Sequence, residues 1–284
     1  MLANSGIDAE LAPTTRPGQA TSLAQAAVAA ANDLILVCGG DGTINEVING
    51  LAPGKIPLGI LPGGTANILA RELQLPQGPV AAARRLSRWS PRRIALGRAR
   101  WGNGISLLTE GGFAGLGDCR YYATVAGVGF DAHIVYKLSS QLKMGLGVAG
   151  YVLEAFRQLV RYGFPKFSWR ADGHERGATF ATVHRTKLYA GWLHLAPSAS
   201  LFRPHLVVCS FPSPSRARYL LYALAVLARQ HLRLPDVTLE RGTQVFCAPP
   251  DATRSIRFEL DGELVGVLPA TFEIVPDALT LLVP

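Results

Sequence analysis

A doubly wound parallel α/β unit followed by a mainly antiparallel β-sandwich, with a cleft between them, is the architecture this sequence predicts. Three observations carry it. A strand-turn-helix unit at 34–51 is followed at once by a second at 57–73, and sequential strands joined by helical crossovers build right-handed parallel sheets. From about residue 93 the texture changes to short β-forming runs separated by Gly, Pro and Ser. A last apolar run at 279–283 is expected to rejoin the first unit. Residues 1–92 are therefore taken as the α/β part, 93–275 as the sandwich and 276–284 as a return segment.

The chain opens with a strand expected at 7–11 and an alanine-rich helix at 20–31. Residues 34–38 form a continuous apolar run, the pattern of a parallel strand covered on both faces, in which Cys38 reads as a small hydrophobe. Ile44, Val47, Ile48 and Leu51 then recur at helical spacing, leaving Asn45, Glu46 and Asn49 for other faces, until Pro53-Gly54 stops the helix. Residues 57–61 repeat the strand and 66–73 the helix, which Pro76 ends. Strands follow at 94–100, 105–109, 121–126, 167–171, 178–183, 187–195, 205–211, 237–241, 244–247, 256–263 and 270–275. Two helices interrupt them. One is 149–162, with Val152, Ala155, Phe156, Leu159 and Val160 on a single stripe. The other lies in the arginine-flanked segment 216–233, whose apolar run at 219–228 falls short of the roughly twenty residues that span a bilayer. A helix packed on a sheet and an interfacial helix both fit that run.

Each strand-to-helix turn is glycine-rich: Gly39-Gly40-Asp41-Gly42-Thr43 in the first, Pro62-Gly63-Gly64-Thr65-Ala66-Asn67 in the second. Glycine allows positive φ and close approach of the backbone to an anion, and unpaired N–H groups at a helix start attract negative charge. Two such turns side by side suit a polyphosphate, most economically a nucleotide. A carboxylate beside phosphates requires a cation, so Asp41 reads as a ligand of Mg²⁺ or of its water; the alternative is a plain helix cap. Late in the chain, Asp261-Gly262 sits between alternating runs, the signature of a two-residue hairpin.

The 284 residues carry a formal net charge of +8, with 49% hydrophobic and 17% charged residues, as in a globular protein of one or two domains. The cysteines at 38, 119, 209 and 247 form no Cys-x-x-Cys pair, which argues against zinc and a disulfide framework. No leader pattern is seen, so a cytoplasmic location is expected. No aromatic-plus-basic nucleic-acid module is present, and the scattered arginines fit peripheral contact with an anionic membrane surface.

Gly39 to Thr43 with Asn45-Glu46-Val47 and Asn49-Gly50-Leu51, then 58–62 with Gly64-Thr65-Ala66-Asn67 and Ala70-Arg71, resemble the bacterial diacylglycerol kinase catalytic-domain family, related to sphingosine kinases and more distantly to NAD kinases. Ala126 to Ala132, Ala196-Pro197 and Leu260-Asp261-Gly262-Glu263 continue the resemblance. It implies ATP-dependent phosphorylation of a lipid alcohol, with Mg²⁺. It also implies nucleotide binding by Gly39, Gly40, Asp41, Gly42, Thr43, Glu46, Gly63, Gly64, Thr65, Asn67 and Glu263, a general base at Asp261, and metal contacts at Asp41 and Asp131. Ile68 stands where the family commonly has Asp, and the family's usual first strand and Asn-Pro-x-Ser-Gly turn have no counterpart. A truncated form, an inactive nucleotide- or lipid-binding relic and an NAD kinase-like enzyme are the other expectations, and a homodimer is left open.

Overall fold

The computed structural model describes residues 8–102, 119–137, 154–251 and 253–284. The strand expected at 105–109 and the first turn of the helix at 149–162 lie outside the described residues. The α/β part runs α1 (Gln19–Ala29), β1 (Ile35–Gly39), α2 (Asp41–Leu51), β2 (Pro57–Pro62), α3 (Ile68–Glu72) and α4 (Pro79–Ala83). β1 and β2 pair in parallel, Ile35 opposite Leu58. Ile44, Val47, Ile48 and Leu51 of α2 all enter the core with Leu58 and Ile60, as their spacing predicts.

Three expectations fail here. Residues 8–11 form no strand, and Leu11 is 88% exposed. β1 lies at the outer end of its sheet, so only Val37 is buried and Cys38 is exposed rather than covered on both faces. Helix α3 is also shorter than its pattern, because left-handed residues at Asn67 and Gln74 bracket it.

The second part contains β3 (Ser90–Trp101), β4 (Cys119–Tyr122), β5 (Val125–Gly129), α5 (Phe130–Lys137), a helix α6 described over 154–161, β6 (Phe167–Ala171), β7 (His174–Ala178), β8 (Phe180–His184), β9 (Leu188–Tyr189) and β10 (Leu193–His194). It continues through β11 (Leu206–Phe211), α7 (Arg216–Leu227), β12 (Thr238–Gly242), β13 (Gln244–Ala248), β14 (Arg257–Leu260), β15 (Glu263–Val267) and β16 (Ala270–Val283). One sheet has the order β1-β2-β16-β13-β6-β7, with β3 on β16 and β4 on β3; the facing sheet is β12-β11-β8-β5-β14-β15. Trp169, Val245 and Phe272 of the first meet Val128, Val208 and Phe258 of the second in the sandwich core.

The return segment and the last sandwich strand are one strand. β16 pairs antiparallel with β13 at its start and parallel with β2 near its end, Leu281 opposite Leu58, with an irregularity between Val275 and Leu279. β3 follows it from Trp101 opposite Ala270 to Ser90 opposite Val283, so the boundary drawn at 92/93 falls inside a strand. The run at 121–126 also divides: β4 belongs to one sheet and β5 to the other, with the corner at Ala123-Thr124. In α6 the expected stripe is only partly buried: Leu159 packs against the cluster of Phe164 and Phe211. Phe156 and Val160 are 65% and 62% exposed, while Glu154 and Gln158 are buried and hydrogen-bonded to each other.

Candidate active site

The two glycine turns lie against one another. The Gly63 N–H donates to the Gly39 carbonyl at 2.8 Å, and a Cβ built on Gly64 would stand 2.5 Å from the Gly40 Cα. None of Gly39, Gly40, Gly42, Gly63 and Gly64 has positive φ, so the reason for glycine here is backbone packed on backbone rather than left-handed geometry. Gly63, Gly64 and Thr65 are exposed at the surface this makes. Asn67 closes the second turn by exchanging hydrogen bonds with the Gly64 N–H and carbonyl. Thr43 packs beneath Gly39.

Asp41 joins the turns to α3: its Oδ1 accepts from the Ile68 N–H at 2.7 Å. Its carboxyl is pushed above the usual Asp range chiefly by burial, a trend the Ile68 bond opposes and the nearby Asp261 charge reinforces. Asp41 and Asp261 line one small cavity with Ile44, Asn45, Leu69 and Thr124.

Asp261 reaches this cavity from the β14–β15 hairpin, where Asp261 and Gly262 have φ of 51° and 85°, the pair of left-handed residues that a tight Asp-Gly turn requires. Its carboxylate accepts from the N–H groups of Ala123, Thr124 and Val125, from Thr124 Oγ1 at 2.5 Å and from Asn45 Nδ2 at 2.7 Å. The corner between β4 and β5 is therefore a nest of three successive amides around this one side chain. Glu263, two residues on, brings Oε1 within 2.9 Å of where a Gly42 Cβ would be, while Arg120 holds Oε2 at 2.6 Å. Asp41 and Asp261 thus come from opposite walls of one cleft, with Glu263 beside the first turn.

Two expected site residues do other work. Glu46 caps α1, accepting from the Gly18 N–H at 2.8 Å and the Ala20 N–H at 3.1 Å. Asp131 is 3% exposed and is hydrogen-bonded to Glu259. Gly127 makes room for that pair, since a Cβ there would meet both carboxyls. Burial, then the Asp131 charge, hold the Glu259 carboxyl well above its ordinary range. Glu259 Oε2 also accepts the Gly262 N–H at 2.6 Å and so braces the hairpin that carries Asp261.

A resident Mg²⁺ does not fit these residues. Among the described residues no group of three or more His, Cys, Asp or Glu side chains is placed to hold a metal, and Ile68 offers only its amide, to Asp41. A Mg²⁺ carried in on a triphosphate needs few protein carboxylates, because phosphates and water fill the other positions.

Sequence reasoning missed Asn45, Asn49 and Arg120. Asn45 is 2% exposed, donates to Asp261 and accepts from Arg120 at 2.6 Å. Asn49 pairs with the Tyr121 backbone in both directions, tying α2 to β4. The i, i+4 spacing of Asn45 and Asn49 on one helix face was the available signal.

Residues 1–99 match the diacylglycerol kinase catalytic domain, and residues 124–283 match the YegS C-terminal NAD kinase beta sandwich-like domain. A Mycobacterium tuberculosis protein named diacylglycerol kinase is 32% identical over 93% of this chain and 81% of its own length. One of the same name from Bacillus subtilis is 29% identical over 94% and 83%. Two crystal structures from Bacillus anthracis share the fold. One, at 22% identity, has a TM-score of 0.74; the other, titled as a diacylglycerol kinase, has 0.65 at 19% identity, and each covers 95% of this chain and 83% of its own. With both halves matched in order and the first relative above 30% identity across nearly the whole chain, this protein belongs to the diacylglycerol kinase family and is a lipid kinase.

Proposed function

We propose that the protein transfers the γ-phosphoryl group of ATP, brought in as its Mg²⁺ complex, to the hydroxyl of a diacylglycerol-like lipid. The observation that carries this reading is the single cleft in which two abutting glycine turns face an acidic hairpin from the second domain. The phosphates are received by the N–H groups at the start of α2 and by that of Thr65 in the exposed second turn, and Glu263 and Arg120 flank them. Asp261 takes the proton of the acceptor hydroxyl as its oxygen attacks phosphorus and the bond to the leaving ADP breaks. Four of the five donors around Asp261 are N–H groups that keep their places. The fifth, the Thr124 hydroxyl, rotates about its Cα–Cβ bond and yields its position to the lipid hydroxyl.

Radiolabelled ATP offered with diacylglycerol, monoacylglycerol, phosphatidylglycerol, a sphingoid base and, separately, NAD⁺ tests this, with products identified by mass. Labelled phosphatidic acid is expected. Transfer to NAD⁺ alone would replace the reading with an NAD kinase-like one, and no transfer to any acceptor would end it. In the same assay Asp261→Asn is expected to lower turnover by at least about a hundredfold while ATP binding, read by calorimetry, stays within about twofold of the parent.

A further inference from the structure

Helix α7 is apolar on two opposite faces. Tyr219, Tyr222 and Ala225 are buried, the two tyrosines in a cluster with Phe164 and Phe211. On the other side Ala217, Leu220, Leu221, Leu224, Leu227 and Ala228 are all exposed. These positions follow the i, i+3, i+4, i+7 spacing of one stripe. The four leucines are 48%, 41%, 56% and 55% exposed, and Leu232 just beyond is 41% exposed. A surface helix ordinarily puts charge on this face. Here the exposed residues between Arg216 and Arg229 include no charged side chain.

Cations stand at both ends: Arg216 at the first turn, Arg229 and Arg233 past the last, all exposed. The nearby acid, Asp236, is already paired with Arg218 and with the Tyr222 hydroxyl. Twelve residues make a helix of about 18 Å, and among the described residues no helix is long and apolar enough to cross a membrane. A short apolar stripe with arginines at each end suits a helix lying in the plane of an anionic lipid surface. A second copy of this chain fits less well, because a symmetric contact along the stripe sets arginine-bearing ends against each other in either direction.

We propose that α7 is a membrane-docking helix whose leucine stripe enters the acyl boundary while Arg216, Arg229 and Arg233 meet lipid phosphates. The proposal draws on the lipid kinase reading only for the presence of a bilayer near the enzyme; the face itself is independent of it.

Co-sedimentation of the full chain with vesicles of phosphatidylcholine and phosphatidylglycerol in equal parts tests it, without turnover. Binding is expected, and about tenfold or more weaker on phosphatidylcholine alone. Leu221→Gln with Leu224→Gln should reduce vesicle binding by about tenfold or more and leave the melting temperature unchanged, since both side chains face outward. Binding undiminished in that variant overturns the proposal, as does a concentration-dependent dimer that the two changes dissolve. Transfer to a short-chain diacylglycerol dissolved below its micelle concentration separates the two claims. Transfer without vesicle binding refutes the docking helix alone; vesicle binding that the leucine variant loses, without transfer, upholds α7 and refutes diacylglycerol as the acceptor.

Discussion

At the scale of single residues, the site is a set of carboxyls held in unlike surroundings. Asp261 is met by three backbone amides, a hydroxyl and an asparagine, whereas Asp41 has the Ile68 amide and pays a desolvation cost. A carboxyl whose folded pKa lies above its unfolded value favours the folded state at low pH and opposes it as pH rises through that interval. Ionised Asp41 therefore weakens the fold at neutral pH. Asp41→Asn keeps an oxygen for the Ile68 N–H but carries no charge. It should melt at a higher temperature than the parent at pH 7, with the difference closing as pH falls toward 3.8, while turnover drops by about a hundredfold. Equal melting temperatures at pH 7 would show that burial of this charge is not a cost to the fold. The positions of Asp41 and Asp261 were legible because a turn motif flags each one. Asn45 was not, because a polar residue in an amphipathic helix reads as a solvated face until a partner distant in sequence is known.

At the scale of elements, the two strand-turn-helix units function as a pair because their turns touch. Their existence and order are plain in the sequence; their contact is not, since nothing local distinguishes a glycine that frees the backbone from one that admits a second backbone. The contrast between neighbours supplies a test. At Gly63 an added Cβ has no neighbour nearer than 3.5 Å, an ordinary contact, but at Gly64 it lies 2.5 Å from the Gly40 Cα, where no side chain can give way. Gly64→Ala should therefore part the turns, costing about 1–3 kcal/mol of stability and at least about tenfold in ATP affinity, while Gly63→Ala leaves both nearly unchanged. Denaturant titration and calorimetry read the two quantities. Similar behaviour of the two variants would show that contact between the turns does not shape the nucleotide site. The split of 121–126 was hidden for a related reason: the run is β-forming throughout, and only Asp261, arriving from residues far along the chain, bends it between two sheets.

At the scale of the whole molecule, the two parts seen in the sequence are joined more tightly than a linker would join them. The strand expected at 270–275 ends just before Pro276, yet a proline is tolerated at an irregularity within a strand and β16 continues through it. Its early residues lie in the sandwich core with Phe272, and its late residues, Leu279 and Leu281, in the α/β core. β3 spans the same two regions beside it. Unfolding either part alone would strip β16 and β3 of half their partners, so the parts are expected to unfold together. Trp89 belongs to the α/β core and Trp169 to the sandwich core, which gives each part a reporter. Single-tryptophan proteins retaining one or the other, with the remaining tryptophans changed to Phe, should show coincident urea midpoints and equal slopes by fluorescence. Midpoints that separate beyond the spread of replicate titrations would mean that the shared strands do not couple the two cores. Coincidence has a functional corollary, because Asp41 and Asp261 belong to different parts and their apposition is then as stable as the fold itself.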